Sequence, residues 1–303
     1  KKMKKSLLAI LAVGLVIGIA GGASAHIGDN VWLVFEIADV DAADLDLKDG
    51  DISDWEDVVG DPSLTAADMF ADPTVGEGAP YDPADMDYRL WIGWNGTNSI
   101  IYGAMERTDD VFVNEYAGGN LGDLWRHDGS FEFMLDGDHS GGDYTGSADP
   151  DWTDEEKTLN NNRTAQQYVG IGDAPDGRHI GYQGAGVEWV TALPYSDGGG
   201  ATTGEAPAVT VLEFYATPFD DCIWNSPEDS RATTLASGNI IGFQISIPDF
   251  DTEPAAYRAF HTVTGQASTW RYAERFADGR LVGAGGSTAV ESNSWGRIKA
   301  SFE

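Results

Sequence analysis

The chain has 303 residues, of which 50 are Asp or Glu and 18 are Lys or Arg, so its formal net charge is −32. A field of this sign repels phosphates, which argues against nucleic acid and anionic membranes as partners. The sequence contains one cysteine, Cys222, which excludes an intrachain disulfide. Stability must therefore come from a packed core, and the thiol is expected to be buried and inert.

The first 25 residues have the three-part pattern of a secretory signal peptide. Lysines at positions 1, 2, 4 and 5 precede an apolar run over residues 7–20, and Ala23, Ser24 and Ala25 follow. We therefore expect cleavage after Ala25 and a bacterial protein that is secreted, periplasmic or attached to the cell surface. The apolar run is shorter than the roughly 20 residues of a membrane-spanning helix, so no membrane insertion is expected. Removal of four lysines and no acid leaves a formal charge of −36, which suits solubility in salt and hard cations such as calcium.

Strands are predicted along most of the remaining chain, some from alternating apolar and polar residues and several from runs that are apolar on both faces. The clearest alternation places Ile241, Phe243, Ile245 and Ile247 on one face. Further strands are predicted at residues 31–37, 88–94, 99–105, 131–135, 166–171, 187–193, 209–216 and 297–302.

Helical patterns are weak, and long loops separate the predicted strands. Two short helices are the candidates, at residues 61–70 and 253–260. Segments rich in Gly, Asp, Asn and Pro predict loops at residues 72–83, 137–162, 196–207 and 225–238. No linker or internal repeat divides the chain. We therefore predict a single all-β domain over residues 26–303: an antiparallel, jelly-roll-like β-sandwich with long loops and one or two short helices.

Four short motifs follow one another in a defined order. Residues 49–55 read D-G-D-I-S-D-W, and a predicted hairpin over residues 88–110 ends in T-D-D. Residues 124–136 read L-W-R-H-D-G-S-F-E-F-M-L-D, and residues 242–249 read G-F-Q-I-S-I-P-D. With the closing S-W-G-R-I of residues 294–298, this set resembles the family 9 carbohydrate-binding modules, which are DOMON-like sandwich domains. The resemblance implies recognition of a polysaccharide or oligosaccharide without catalysis, by a protein that could act alongside a glycoside hydrolase.

The resemblance also implies a ligand site. Trp125 matches the position whose aromatic ring stacks on a terminal sugar, and a rigid indole covers a sugar's C–H face at small entropic cost. Trp270 is the nearest match to the second stacking tryptophan, and Trp295 is the other candidate. The family's ligand-binding Arg falls near Tyr168, where this chain has Gln-Gln-Tyr at residues 166–168. The residues expected to bind ligand are Trp125, Arg126, His127, Tyr168 and Trp270. The alternative for Trp125 is an ordinary buried position at a strand entry.

A predicted calcium loop begins at the end of the third motif. Asp136, Asp138 and Ser140 place oxygens on alternate residues, and a glycine for a sharp turn follows. Asp143 or Asp149 would supply a further carboxylate. A complete EF-hand is excluded because the twelfth position is a serine rather than a glutamate. The alternative is a polar hairpin loop without an ion.

Other functions remain open on the sequence alone. The chain lacks G-x-S-x-G, H-E-x-x-H and phosphate-loop motifs, so no enzyme is indicated. A haem-binding electron-transfer domain would use Met105 or Met134 with His261 as axial ligands. Cleavage after residue 25 would expose His26 as an N-terminal copper ligand, as in the lytic polysaccharide monooxygenases. A purely structural surface protein is the last alternative.

Overall fold

A computed structural model of the chain describes residues 31–119, 121–145, 151–172, 175, 180–182 and 188–284. The predicted signal peptide, His26, Trp295 and the strand predicted at 297–302 lie outside the described residues. The strands are β1 (Val31–Glu36), β2 (Leu64–Thr65), β3 (Phe70–Ala71), β4 (Met86–Asn95), β5 (Ile100–Asp109), β6 (Ser130–Asp136), β7 (Gln166–Ile171), β8 (Ile180–Tyr182), β9 (Ser196–Gly204), β10 (Ala208–Ala216), β11 (Phe219–Asp221), β12 (Arg231–Ala232), β13 (Ile240–Phe250), β14 (Tyr257–Thr262) and β15 (Ala277–Val282). The helices are α1 (Asp39–Ala42), α2 (Ser53–Val58) and α3 (Asp154–Asn160).

Thirteen of the described strands join one sheet, whose main path runs β8-β7-β6-β13-β15-β1-β4-β5-β10-β9. Strands β2, β3 and β14 pair at its margins, and β11 pairs with β12 separately. All pairs among the described strands are antiparallel except those of β1, which runs parallel to both β15 and β4. The predicted all-β, antiparallel fold is thus confirmed, with β1 as a local departure.

The sheet folds over so that its two halves pack face to face and enclose the main core. Phe131 and Phe133 of β6 lie 5.3 and 6.0 Å from Phe214 of β10, measured between ring centroids. A Cβ atom at Gly170 of β7 would fall 2.4 Å from the side chain of Leu212 on β10, so the halves touch directly. Burial of each such side chain contributes about 1.5–3 kcal/mol. This is the two-layer arrangement of a β-sandwich.

Strand β9 corrects the loop predicted at residues 196–207. It is rich in glycine, yet it pairs along its whole length with β10. Gly198 and Gly199 permit close packing, because Cβ atoms there would lie 2.3 Å from the Glu213 carbonyl oxygen and 2.8 Å from the Leu47 carbonyl oxygen. Glycine in this strand therefore reflects close backbone approach rather than a flexible loop.

The short helices do not lie where the sequence predicts them. Residues 61–70 form β2, a 3₁₀ turn at Ala66–Asp68 and the start of β3. Residues 253–260 lead into β14, whose aromatic residues pair along the edge of β13. The strand predicted at 187–193 is a 3₁₀ turn at Glu188–Thr191. The helix count within the described part is three rather than one or two.

Two further expectations concern the core thiol and the membrane. Cys222 is buried as expected, and burial raises the pKa of its thiol to about 12. In the part of the chain that the structure describes, no helix has the length and hydropathy to cross a membrane.

Candidate functional site

A pocket of about 450 Å³ opens on the outer face of the β6–β13 half of the sandwich. This volume lies within the range of about 300–1,000 Å³ that is usual for small-molecule sites. Its lining residues are Val75, Trp125, Glu132, Ala255, Ala256, Tyr257, Phe260 and Trp270. Trp125 and Trp270, two of the residues predicted to bind ligand, thus line the same pocket although 145 residues separate them in the chain.

Trp125 is held in place by its neighbours. It lies in a 3₁₀ turn at Leu121–Arg126, and its half-buried ring lies 5.7 Å from the ring of Tyr257 and 6.4 Å from that of Phe250. The guanidinium of Arg126 lies 4.5 Å from the Trp125 ring, close enough for a cation–π contact. Arg126 is in turn paired with Glu115 at 3.2 Å. Trp125 is therefore a wall of defined orientation.

Trp270 lies on the loop between β14 and β15, and hydrogen bonds fix this loop on both sides of it. The Ser268 amide donates to the Asp72 carboxylate at 3.0 Å. The Tyr144 hydroxyl donates to the Thr269 carbonyl at 3.1 Å. The indole of Trp270 is 41% exposed, and it contacts no other ring among the described residues. The loop is thus anchored while its tryptophan remains free to contact a ligand.

The pocket contains one buried acid, Glu132 of β6. Because side chains alternate along a strand, Glu132 points away from the core that Phe131 and Phe133 fill. Its carboxyl group accepts a hydrogen bond of 2.8 Å from the Gln167 side-chain amide. Burial raises the pKa of Glu132 to about 8. Near neutral pH the group is therefore largely protonated, and it can both donate and accept hydrogen bonds.

Tyr257 supplies an aromatic wall next to this acid. Its ring packs at 4.7 Å on Phe250 and at 5.5 Å on Phe260. Burial, and secondarily the Glu132 carboxylate, raise the pKa of the Tyr257 phenol, so the hydroxyl stays neutral. A phenol in this position can donate one hydrogen bond to a ligand.

Three residues predicted to bind ligand do not line the pocket. Arg126 stacks on Trp125 instead of facing the cavity. His127 is completely buried, with its ring against Phe112, so it cannot reach a sugar hydroxyl in this structure. Tyr168 is a core residue whose hydroxyl donates to a backbone carbonyl at 2.6 Å. Side chains alternate between the two faces of a strand, and the side chain of Tyr168 falls on the face that points into the sandwich.

The loop predicted to bind calcium is a closed turn that supports the Trp270 loop. The buried Asp136 carboxylate accepts hydrogen bonds from the Ser140 amide at 3.1 Å and the Gly141 amide at 2.7 Å. Asp143 accepts a hydrogen bond of 3.1 Å from the Arg271 guanidinium, so its carboxylate is already paired. Asp138 is an exposed residue. Partial desolvation of its carboxyl group, and to a smaller extent the charge of nearby Asp136, raise its pKa. Calcium at this loop remains a prediction, with Asp143 removed from its ligands.

A group of three carboxylates close enough to share an ion lies elsewhere in the described residues, at Asp85, Asp110 and Asp251. Arg258 forms ion pairs with Asp85 and, at 2.9 Å, with Asp251. A side chain of the protein thus already supplies positive charge to this group, and we assign no metal to it.

The residues considered for haem ligation are occupied by other contacts. Met105 and Met134 are fully buried. The ring nitrogens of His261 lie 3.1 Å from the Tyr88 hydroxyl and 3.3 Å from the Ala79 carbonyl oxygen. Neither nitrogen is therefore directed at an open cavity.

Comparison with known proteins adds the following. No protein-family model matches the chain, and no curated relative does either. Among solved structures, a family 9 carbohydrate-binding module from Caldicellulosiruptor kristjanssonii in complex with cellotriose is similar, with a TM-score of 0.48 and 12% identity over 87% of this chain and 100% of that one. The same module in complex with glucose gives a TM-score of 0.48 at 12% identity, over 86% and 100% of the two chains. A protein from Bacteroides uniformis gives a TM-score of 0.40 at 11% identity, over 83% and 99%.

Proposed function

We propose that the pocket binds a carbohydrate by aromatic stacking on Trp125 and Trp270, and that the protein is a non-catalytic binding domain. The observation that carries this proposal is the meeting of two tryptophans from distant parts of the chain in one pocket. Aromatic side chains bury large apolar areas at small entropic cost, which suits the C–H faces of a sugar ring.

The polar groups of the pocket suit sugar hydroxyls. A protonated Glu132 offers one donor and acceptor oxygens, and Tyr257 offers a further hydroxyl. Apolar walls with a few convergent polar groups are the usual composition of a small-molecule site. The pocket thus combines stacking surface with hydrogen-bonding capacity.

The residues that line the pocket favour binding over catalysis. Glycoside hydrolysis needs two carboxyl groups about 5–10 Å apart across the scissile bond. Among the described residues, Glu132 is the one acid that lines the pocket. We therefore propose that the pocket holds its ligand without cleaving it.

We propose export on the basis of the N-terminal pattern of lysines, apolar run and small residues. A protein that binds polysaccharide would meet its ligand outside the cell. N-terminal sequencing of the exported protein tests this, with His26 expected as the first residue. An N-terminus that retains residues 7–20 would contradict it.

Calorimetric titration with glucose and cellotriose tests the binding proposal. Trp270→Ala should weaken binding by about 10- to 100-fold, as is typical when an aromatic ring is removed from a binding centre. Its melting temperature should barely change, because the ring is 41% exposed. Phe70→Ala is the matched control: this ring is 51% exposed and does not line the pocket. Equal effects of the two substitutions, or no effect of Trp270→Ala, would contradict the proposal.

A further inference from the structure

Glu132 has no basic partner among the described residues, unlike two other buried acids, Asp128 and Asp249. Asp128 pairs with Arg107 at 2.7 Å, and Asp249 lies 3.3 Å from the guanidinium of Arg258. The hydrogen-bond partner of Glu132 is the neutral amide of Gln167. Within the described chain no Lys, Arg or His forms an ion pair with Glu132, which is 2% exposed. A buried carboxylate without a partner is costly, so the empty pocket favours the protonated acid, and the ionised form would need a positive charge from a ligand.

The surroundings of Glu132 favour a cation over a further acid. Its titratable neighbours are the phenols of Tyr144 and Tyr257, and the pKa of both is raised by burial and by Glu132 itself. Across the adjacent strands, Ser246 and Val169 stand opposite Glu132, and neither titrates. The faces of tryptophan and tyrosine rings attract ammonium groups, and this attraction is strongest where water is excluded. A pocket that combines a buried acid with aromatic side chains is therefore suited to an organic cation.

We propose that the saccharide bound in this pocket carries a primary ammonium group, which forms an ion pair with Glu132 between the aromatic walls. This inference rests on the proposed carbohydrate binding and narrows it to amino sugars. The ligand then supplies the positive charge that the chain does not place beside this acid, whose hydrogen-bond partner is the neutral amide of Gln167.

The proposal makes binding of an amino sugar depend on pH in a defined direction. In the empty pocket, burial holds the pKa of Glu132 at about 8, so the group carries a proton at lower pH. A bound ammonium group lowers this pKa, because an opposite charge favours the ionised form. Each binding event then releases one proton. The affinity should rise about tenfold per pH unit below pH 8, for as long as the amine remains charged.

Glucosamine, glucose and N-acetylglucosamine are the probes, titrated by calorimetry between about pH 5 and pH 7, where the free amine is charged. The three share a hexose ring, and only glucosamine is a cation. At pH 7 glucosamine should bind about tenfold more tightly than glucose. Its affinity should rise with pH, whereas the affinities of the neutral sugars should stay constant. Titration in two buffers of different ionisation enthalpy should show proton release for glucosamine alone.

Substitutions separate the role of Glu132 from a general effect of charge. Glu132→Gln keeps the size of the side chain and should remove both the preference for glucosamine and the pH slope. Glu213→Gln is the matched control, because Glu213 is a second buried acid whose pKa is raised to about 8 by burial, and it lies outside the pocket. This variant should bind as the unmodified protein does.

Each outcome decides the proposal. Preference for glucosamine, with a rising affinity that Glu132→Gln removes, supports it. Equal or tighter binding of glucose without a pH slope overturns the amine proposal and leaves carbohydrate binding intact, provided that Trp270→Ala still weakens glucose. Absence of binding for all three sugars at millimolar concentration overturns both.

Discussion

Glu132 also makes folding stability depend on pH, and Glu132→Gln isolates this contribution. The pKa of the group is raised from its ordinary value of 4.5 to about 8 by burial. The folded protein therefore retains a proton that the unfolded chain releases, so stability falls as pH rises from 4.5 to about 8. The gap between the two pKa values corresponds to at most about 5 kcal/mol. In the glutamine variant this loss is absent, because the side chain does not ionise.

The measurement is urea unfolding of both proteins at several pH values from about 5 to 9. The variant should gain stability relative to the unmodified protein as pH rises, by several kcal/mol over the whole range. Asp128 and Asp249, whose pKa values burial raises to about 7, are present in both proteins and cancel in the difference. Parallel stability curves for the two proteins would refute the assignment of a buried, protonated Glu132.

Three other predictions follow from the packing. Trp125→Ala should weaken sugar binding about tenfold and also lower stability by about 1–3 kcal/mol, since the ring packs on other aromatic residues; unchanged stability in urea would contradict this. Gly198→Ala should cost about 1–3 kcal/mol, because the new methyl group would lie 2.3 Å from a carbonyl oxygen, and a urea midpoint within error of the unmodified protein would show that the strand can shift. Calcium at Asp136 and Asp138 should raise the melting temperature in millimolar calcium relative to chelator, and an unmoved melting temperature would exclude it.

Strands with a marked apolar pattern could be predicted from the sequence. The runs at 166–171, 209–216 and 241–247 correspond to β7, β10 and β13, each of which contributes side chains to the main core. Strand β9 could not be predicted, since its glycines carry no periodic signal. Its pairing partner β10 and the nearby Leu47 backbone determine its conformation, and both are tertiary contacts. Tertiary contacts of this kind override the intrinsic β-propensity of residues more often than they override helix propensity.

The candidate site was accessible only in part. The resemblance to a family points to Trp125 and Trp270, but nothing in their local sequence shows that they meet. Glu132 was visible in the third motif, but its burial and lack of a basic partner depend on β7, β13 and the loops that cover them. His127 and Tyr168 are sequence neighbours of positions that the resemblance points to, and both are buried away from the pocket. For Tyr168, neighbours along a strand point to opposite faces, so adjacency is a poor guide to a shared site.

Hydrogen bonds from acidic loops hold the segment that carries Trp270 in place. Asp72 holds the Ser268 amide and Asp143 holds Arg271, so two aspartates from distant loops fix the segment that carries Trp270. Both loops fold over the outer face of the sheet, where Glu132 lies. Strand β6 thus supplies the one acid that lines the pocket among the described residues, and irregular segments outside the strands supply its two tryptophans. Because the acid and the tryptophans come from separate parts of the chain, substitutions in the loops should alter the fit for the sugar ring while Glu132 continues to determine the preferred charge.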